Sequence, residues 1–293
     1  MSSLREDGPH GPDGRNGPPI SEAGTRRRFL RLATAGAAGL TLPGAHAASE
    51  RPSSGFTFAV ANDLHYRDAR CGDWLRRVAD HVRAQRPRPA FLVLAGDLSE
   101  DGTPEQLTAV RRIFTPLPMP VKLLIGNHDH TVEGDCSAYE AICGAPFNYR
   151  FDHGGCQFLA LDTTQGRSVY RTRIAASTFD WVDAALPSLS RERPTIVLTH
   201  FPLGRNWLRP LNAHRLLERF REQRLLATFS GHWHGITERQ EGSVHLSTGR
   251  CCAWWRENHD GSDEKGYTLC QVSSRRSEAR VEWAVEHRFV AVA

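Results

Sequence analysis

The chain has 293 residues and a formal net charge of +4 at neutral pH, and its hydrophobic fraction of 40% and charged fraction of 24% are ordinary for a globular protein. This length allows one large domain or two small ones with a substantial core. Part of the positive charge lies in an N-terminal arginine cluster. No basic stripe interleaved with aromatic residues follows it, so the composition argues against a nucleic-acid scaffold.

Residues 1–47 differ in composition from the rest. Residues 1–22 are rich in Gly and Pro without a periodic apolar pattern, which predicts disorder. A charged segment, TRRRFLR at 25–31, then precedes the apolar stretch LATAGAAGLTL and the A-x-A site at 45–47. This order is typical of an export signal, and its apolar run is shorter than the roughly 18 residues that a membrane span needs. We therefore expect cleavage near Ala47 and a single mature domain over residues 48–293.

The paired arginines before Phe29 and Leu30 resemble the twin-arginine class of export signals, which the twin-arginine translocation machinery reads as an address. That class usually carries Lys where this chain has Arg31. The resemblance implies a periplasmic or extracellular location and no stable membrane span. Because twin-arginine systems carry folded proteins, often with their metal loaded, it also indicates a cofactor.

Seven cysteines are many for this length, and an oxidising destination would allow disulfides; they are Cys71, Cys136, Cys143, Cys156, Cys251, Cys252 and Cys270. Cys136 and Cys143 are close enough in sequence to bridge a loop, and the odd count leaves at least one thiol unpaired within a monomer. No C-x-x-C pair occurs, which argues against a thiolate zinc site. The pairing itself cannot be inferred from the sequence.

From residue 56 onward, short apolar runs alternate with helical patterns. The predicted strands are FTFAVAND (56–63), AFLVLAGD (90–97), VKLLIGN (121–127), CQFLALDTT (156–164), TIVLTH (195–200), LATFSGHWH (226–234), VHLSTGR (244–250), YTLCQV (267–272) and a closing edge strand at 281–290. The predicted helices are WLRRVADHVRAQ (74–85), one opened by Thr103 as N-cap with Pro104 and a capping-box Gln106, STFDWVDAAL (177–186) and LNAHRLLERFREQ (211–223).

Alternating strands and helices predict a largely parallel α/β sheet in the first part of the domain. The crowded strands after Gly231 predict a second, more antiparallel sheet.

Polar side chains follow five of these strands where each strand ends. The endings are Asp63-Leu64-His65, Gly96-Asp97, Gly126-Asn127-His128-Asp129, Thr199-His200 and Gly231-His232-Trp233-His234. The carboxyl ends of parallel strands line a common crevice, so we expect these side chains to meet. Oxygen and imidazole ligands without thiolate suit Mn²⁺, Fe or Zn²⁺.

The spacing within these endings has a physical reason. In an extended D-x-H, residues i and i+2 lie on one face, so Asp63 and His65 can hold one metal. The same holds for His232 and His234, although a turn could send them to different metals. Each motif alone is weak, since Gly-Asp and Gly-Asn-His are common polar turns. All five in order, each after an apolar run, indicate a site.

The order D-x-H, G-D, G-N-H-D, H and G-H-x-H resembles that of the calcineurin-like metallophosphoesterases over residues 56–235. It most resembles the branch that contains bacterial cyclic-nucleotide phosphodiesterases, with purple acid phosphatases as relatives. The resemblance implies an α/β fold, a four-layer α/β/β/α sandwich of two mixed sheets. Purple acid phosphatases carry a tyrosine ligand three positions after the G-D aspartate. This chain has Glu100 there, so a tyrosinate–Fe(III) centre is not expected.

The resemblance also implies two divalent metal ions, with Mn, Fe and Zn left open. The first metal is assigned to Asp63, His65, Asp97 and His234; Asp97 bridges to the second metal, which is completed by Asn127, His200 and His232. By the same resemblance His128 is unliganded, is oriented by Asp129, and meets the phosphate and the leaving oxygen.

A mechanism follows from charge. Two divalent ions outweigh two aspartates and a bridging hydroxide by about +1, which attracts a phosphate oxyanion without trapping it. Metals a few Å apart lower the pKa of a shared water, which attacks the phosphorus, and clamp the attacking and leaving oxygens. His128 serves as the general acid for the leaving group.

Four further residues are candidates for substrate contact. Trp254 and Trp255 either form a stacking wall for a base or lipid glycerol, or close a sheet edge. Arg205, in the loop Arg205-Asn206-Trp207 after His200, could frame the pocket or be a plain surface loop. His130 is either a substrate contact or a solvated turn residue.

Together these features predict an exported dinuclear-metal phosphohydrolase acting on a small phosphoester, with a diester favoured. The alternatives are a phosphomonoesterase or nucleotidase, which the same core serves, and a phospholipid head-group hydrolase, which rests on the Trp pair and the export signal. A non-catalytic metal-binding protein would require broken ligand motifs, and none of the motif positions is broken.

Overall fold

The computed structural model of the protein describes residues 54–144, 146–276 and 281–293. These residues belong to one compact unit. The predicted N-terminal segment, residues 1–47, lies outside them, so the signal and the domain boundary stay predictions. No helix in the described ranges combines the length and apolarity that crossing a membrane requires.

The described residues form eleven strands and five α-helices. In chain order these are β1 (Ser54–Ala61), α1 (Ala69–Ala84), β2 (Leu92–Ala95), α2 (Pro104–Phe114), β3 (Val121–Leu124), α3 (Ser137–Cys143), β4 (Tyr149–His153), β5 (Cys156–Leu161), α4 (Ala176–Ala185), β6 (Pro194–Thr199), α5 (Ala213–Arg219), β7 (Arg224–Ser230), β8 (Thr237–Glu241), β9 (Val244–Thr248), β10 (Gly266–Arg276) and β11 (Val281–Ala291). Two short 3₁₀ turns cover Asn127–Asp129 and Leu186–Ser188.

The strands form two mixed sheets. The first has the order β11-β10-β1-β2-β3. Its strands β1, β2 and β3 are parallel, β10 pairs antiparallel with β1, and β11 pairs antiparallel with β10. The second has the order β4-β5-β6-β7-β9-β8, with β5, β6, β7 and β9 parallel and both edge strands antiparallel. The predicted closing edge strand is therefore confirmed as β11.

The prediction that the strands after Gly231 form a sheet of their own is wrong. β8 and β9 extend the second sheet, while β10 and β11 extend the first. The alternation of apolar residues marks a strand and its buried face, but it does not encode which open sheet edge the strand joins. β4, β8 and α3 were not predicted.

The two sheets pack face to face through an aromatic core. Phe58 and Phe91 stack at a centroid distance of 5.1 Å, and Phe151 and Phe158 stack at 4.9 Å. The other face of the first sheet packs on α1, α2 and α3, and that of the second sheet packs on α4 and α5. This order of layers confirms the predicted α/β/β/α sandwich.

Helix α2 begins as predicted. The Thr103 hydroxyl accepts a hydrogen bond from the Gln106 main-chain N–H at 3.3 Å, and Pro104 takes the first helical position. The capping box is not formed, because the Gln106 side chain bonds with Asp101 instead. The local turn before the helix therefore takes the side chain that the sequence assigned to the cap.

All seven cysteines fall within the described ranges, and all are free. Cys136 and Cys143, the pair considered for a bridge, lie at opposite ends of helix α3. At a rise of about 1.5 Å per residue, the helix separates their Cα atoms by about 10 Å, beyond the reach of a disulfide.

Phe158 provides a test of the inter-sheet core. Its side chain is fully buried and also contacts Phe58 and Phe91 at centroid distances of 5.5 and 5.2 Å. We expect Phe158→Ala to lower the free energy of unfolding by about 3–5 kcal/mol, because a cavity is added to the lost burial. Urea unfolding of the purified protein measures this change.

The matched control is Val132→Ala, since that side chain is 77% exposed and its loss should leave the unfolding midpoint unchanged. A loss below about 1 kcal/mol for Phe158→Ala would show that the two sheets do not depend on this contact.

Candidate metal centre

Backbone strain is concentrated at the strand ends. Among the described residues, six that are not glycine have positive φ, and five belong to the predicted ligand set: Asp63 (56°), His65 (43°), Asp97 (49°), His232 (63°) and His234 (48°). Such conformations cost about 1–3 kcal/mol each and persist where the surroundings hold them. Main-chain hydrogen bonds do so here, from Asp63 to Gly96 and from His65 to Asp97. The chain therefore turns sharply at these five predicted ligands, and main-chain hydrogen bonds hold the turns at Asp63 and His65.

Two glycines allow the strand ends to approach one another. Gly96 has φ of 84°, and a Cβ at this position would collide with the imidazole of His200. Gly126 has an extended backbone, but a Cβ there would collide with Asp97. The first glycine is needed for conformation and space, and the second for space alone.

The first ligand group contains Asp63, His65, Asp97 and His234, all buried. His65 Nε2 lies 3.5 Å from Asp97 Oδ2 and 3.2 Å from His234 Nε2. His234 Nε2 lies 3.4 Å from Asp63 Oδ1. Two carboxylates and two imidazole nitrogens therefore face one small volume.

The second group contains Asp97, His200 and His232, also buried, with Asn127 beside them. His200 Nε2 lies 3.3 Å from Asp97 Oδ1 and 3.1 Å from Asn127 Oδ1. Asp97 is common to both groups, in the position that a bridging carboxylate requires. The structure thus brings all seven predicted ligands together in two groups, and their role as ligands stays a prediction.

Whether these residues fit metal ions depends on the hydrogen bonds of the four imidazoles. In each ring, the outer nitrogen is the one that points away from the ligand group. Each outer N–H donates to a protein oxygen, which leaves the other nitrogen as an acceptor facing the group. The acceptors are Glu100 Oε2 for His65 Nδ1 (2.8 Å), Ala95 O for His200 Nδ1 (2.9 Å), Glu257 O for His234 Nδ1 (3.3 Å) and Val169 O for His232 Nε2 (3.4 Å). Four lone pairs, two carboxylates and an amide oxygen fit two divalent cations.

Burial and neighbouring charge set the protonation of these groups without metal. Burial lowers the pKa of His65 to about 4, although Glu100 and Asp97 favour its cation. Burial also lowers the pKa of His200, but the charge of Asp97 and their hydrogen bond outweigh it and raise that pKa to about 9. Burial raises the pKa of Asp97, yet attraction to His200 holds it well below its usual value. Asp97 and His200 therefore form an ion pair at neutral pH.

Metal binding should release protons and should weaken as pH falls. At pH 7 His200 is protonated, because its pKa of about 9 lies above that pH, and a metal must displace this proton. Below about pH 9, we expect the affinity of the second group for Mn²⁺ to fall by up to about tenfold per pH unit. Calorimetric titration at pH 7 in two buffers of different protonation enthalpy should show proton release from His200 and also from His234, whose pKa burial lowers but Cys251 and Asp63 hold well above its usual value. Heats independent of buffer, with an affinity independent of pH, would contradict the ion pair.

His128 lies beside the shared aspartate. Its main-chain N–H donates to Asp97 Oδ1 at 2.8 Å, and its Nδ1 donates to the carbonyl oxygen of Glu100 at 2.9 Å. Its side chain is 18% exposed, whereas those of Asp97 and His200 are at most 1% exposed. The Nε2 atom is therefore the one that can meet a bound molecule.

Asp129 was expected to orient the imidazole of His128, and this prediction is wrong: its carboxylate bonds with Ser99 and Gly126. The Asp129 carboxylate accepts from the main-chain N–H of Ser99 at 2.8 Å, from the Ser99 hydroxyl at 2.9 Å and from the Gly126 N–H at 2.9 Å. Burial and the charge of Asp97 raise its pKa to about 6. Asp129 therefore joins its own turn to the loop after β2. The imidazole of His128 is oriented instead by the Glu100 carbonyl.

His130 is not a solvated turn residue, so that interpretation is wrong, while its contact with substrate stays a prediction. Its Nδ1 donates to Gly134 O at 3.2 Å, and its Nε2 is paired with the Thr164 hydroxyl at 3.1 Å. The side chain is buried. Both nitrogens are thus used in joining two loops.

The other three substrate candidates lie in different surroundings. Arg205 is exposed and lines a narrow cleft beside β8 and β9. The Trp254 ring contacts the Arg70 guanidinium at 4.8 Å. Trp255 donates from Nε1 to the carbonyl of His65 at 3.1 Å, and its ring contacts two guanidinium groups. A stacking ligand would have to compete with these cations for the Trp rings.

Sequence reasoning missed two residues beside His128. Glu100 was considered as a departure from a tyrosine ligand, without a contact of its own. Arg167 donates to the carbonyls of His130 and Glu100, both at 2.9 Å, and its guanidinium lies 3.5 Å from His128 Nδ1. Arg167 follows no strand directly and belongs to no motif, so no local signal could have identified it.

One member of an exposed aromatic pair was also missed: Trp207 lies in the loop predicted to frame the pocket, but its partner Tyr170 was not considered. Tyr170 and Trp207 are 62% and 63% exposed and stack at a centroid distance of 5.4 Å. Trp207 contacts Trp233, which lies between the two histidines of the last motif. The pair borders the centre because Val169, the residue before Tyr170, contacts His232.

Comparison with known families supports the same class. The model of the calcineurin-like phosphoesterase family matches residues 56–235, more than half of the chain, so the chain belongs to this family. Fold and family together define the described domain as a calcineurin-like phosphoesterase domain.

Two relatives share part of this sequence. A 3',5'-cyclic-nucleotide phosphodiesterase of Nostoc sp. is 29% identical over 179 residues, covering 57% of this chain and 64% of the relative. The glycerophosphodiester phosphodiesterase GpdQ of Enterobacter lignolyticus is 29% identical over 185 residues, covering 58% of this chain and 65% of the relative. The chain thus spans less than two thirds of the length of either relative.

A purple acid phosphatase from yellow lupin (Lupinus luteus) shares the fold, with a TM-score of 0.58 at 13% identity, over 80% of this chain and 54% of that one.

Proposed function

We propose that the protein is a phosphodiesterase that hydrolyses a small phosphodiester at a centre of two divalent metal ions. The observation that carries this proposal is the sharing of Asp97 between two buried ligand groups, with His128 bonded to the same carboxylate. When bound, the ions supply positive charge for the phosphate and lower the pKa of attacking water. The first ion would be held by Asp63, His65, Asp97 and His234, and the second by Asp97, Asn127, His200 and His232.

His128 supplies the proton for the leaving oxygen. Because its Nδ1 donates to the Glu100 carbonyl, the imidazolium can release only its Nε2 proton toward the open side of the site. The main-chain bond to Asp97 fixes the distance between this acid and the shared ligand. His128 is thereby held beside the proposed ligands without being one of them, and its Nε2 is left to act on the leaving oxygen.

Arg167 and the exposed aromatic pair shape the substrate side. The Arg167 guanidinium lies beside His128 and is paired with Asp101 Oδ1 at 3.5 Å; a phosphoester anion bound beside His128 would share this guanidinium with Asp101. Tyr170 and Trp207 offer ring surface for the organic group attached to phosphorus. Both relatives are named as phosphodiesterases, which favours a diester over a monoester.

His128→Ala should keep both metals and lose turnover. We expect hydrolysis of bis-p-nitrophenyl phosphate with Mn²⁺ to fall about 10²–10⁴-fold, because the general acid is removed and no ligand is changed. Metal content measured by mass spectrometry should remain that of the unsubstituted protein. The control is His214→Ala, on the exposed surface of α5. Unchanged turnover in the metal-loaded variant would remove His128 from the mechanism.

The preference for diesters is tested with a matched pair of substrates. We expect kcat/KM with Mn²⁺ to be higher for bis-p-nitrophenyl phosphate than for p-nitrophenyl phosphate, and both activities to disappear after chelation. The reverse order would favour the phosphomonoesterase alternative. Activity on neither substrate, with two metals bound, would favour a non-catalytic metal-binding protein.

We also propose export through the twin-arginine pathway, which rests on the segment at 25–31 and the A-x-A site at 45–47. Replacing Arg26 and Arg27 together by Lys should leave the full-length precursor in the cytoplasm, as shown by cell fractionation and immunoblotting. Arg28→Lys is the matched control, because it changes the third arginine and leaves Arg26 and Arg27 intact. Equal export of the paired variant would contradict this route.

A further inference from the structure

Residues 251–257 wrap around the first ligand group, although they lie beyond the family-matched range of 56–235. Ala253 N donates to the carbonyl of Asp63 at 3.0 Å, and Trp255 Nε1 donates to that of His65 at 3.1 Å. The carbonyl of Glu257 accepts from His234 Nδ1 at 3.3 Å. Three of the four members of the first group therefore contact this segment.

The topology explains why this segment reaches the first group. β10 runs antiparallel to β1, with Thr268 opposite Val60 near the carboxyl end of β1. The residues that precede β10 therefore emerge where Asp63 and His65 leave β1. The outer nitrogens of His200 and His232, in the second group, bond instead with Ala95 and Val169.

Glu100 joins this segment to the first group. Its Oε2 accepts from His65 Nδ1 at 2.8 Å, and its Oε1 pairs with the Arg256 guanidinium. Arg256 lies over the Trp255 ring at 4.6 Å. His65, Glu100 and His128 also lie close enough to hold a cation, but the charge of Glu100 is already met by Arg256. The Glu100 carboxylate therefore holds the His65 imidazole in place.

We propose that Glu100 and Arg256 are positioning residues that set the metal affinity of the first ligand group and leave the second group unaffected. The proposal rests on the metal centre assigned above. Glu100 holds His65 in the tautomer whose Nε2 lone pair faces the metal and increases its basicity as a ligand. Arg256 holds the carboxylate in place; without it, Glu100 Oε1 can turn toward His128 Nδ1, which lies only 3.6 Å away.

The experiment measures each group separately by calorimetric titration with Mn²⁺. His200→Ala disables the second group, and in this background we expect Glu100→Ala to weaken Mn²⁺ binding about 10–100-fold. His65→Ala disables the first group, and in that background Glu100→Ala should change binding by less than about threefold, since its contact is already lost. Equal weakening in both backgrounds would show a general structural role and overturn the proposal.

Two further variants separate positioning from misfolding. Glu100→Gln keeps the shape and should weaken first-group binding less than Glu100→Ala does. As a single substitution, Arg256→Gln should weaken Mn²⁺ binding to the first group. Added to Glu100→Gln, it should weaken that binding by less than about a further twofold, because the two residues act as a unit. Fully additive effects would contradict that coupling. Glu105→Ala, on the exposed first turn of α2, is the control and should leave both binding steps unchanged.

The result is independent of hydrolysis. Two Mn²⁺ ions bound without phosphodiesterase activity would defeat the proposed function, while the asymmetry between the two groups would still be measured. A wild-type protein that binds no Mn²⁺ would defeat both proposals.

Discussion

Asp63 and Asp97 lie fully buried at the carboxyl ends of β1 and β2, where their charges need cations nearby. Without metal, protonated His200 partly meets this need beside Asp97. The surrounding imidazoles stay in place because each outer nitrogen is bonded to a protein oxygen. In the proposed centre, two divalent ions would meet the same charges more completely.

The sandwich supplies the rigidity that this arrangement requires. Five ligands have positive φ, and such strain persists only when strong packing surrounds it. The aromatic core between the sheets and the parallel strand ends provide that packing. Glycines at 96 and 126 let neighbouring strand ends come into contact where any other residue would collide. Stability of the core and precision of the site are therefore linked.

The last strands complete the centre as well as the first sheet. Because β10 pairs with β1, the segment before it returns to the first ligand group and carries Trp255 and Arg256 with it. The second group depends on a different loop, through Val169. The outer imidazole nitrogens of the two groups are thus bonded to separate parts of the chain, while Asp97 is common to both groups.

The sequence by itself determined the fold class and which seven polar side chains meet at the strand ends, because both depend on local patterns: an apolar run marks a buried strand, and the polar residues that follow it mark the strand end. Only the tertiary structure decided the contacts between distant segments. The Glu100 carbonyl, and not the adjacent Asp129, orients His128; His130 joins two loops; and Arg256 reaches Glu100 from 156 residues away. These pairings depend on which strands become neighbours, and the hydrophobic pattern fixes the face of a strand without fixing its partner.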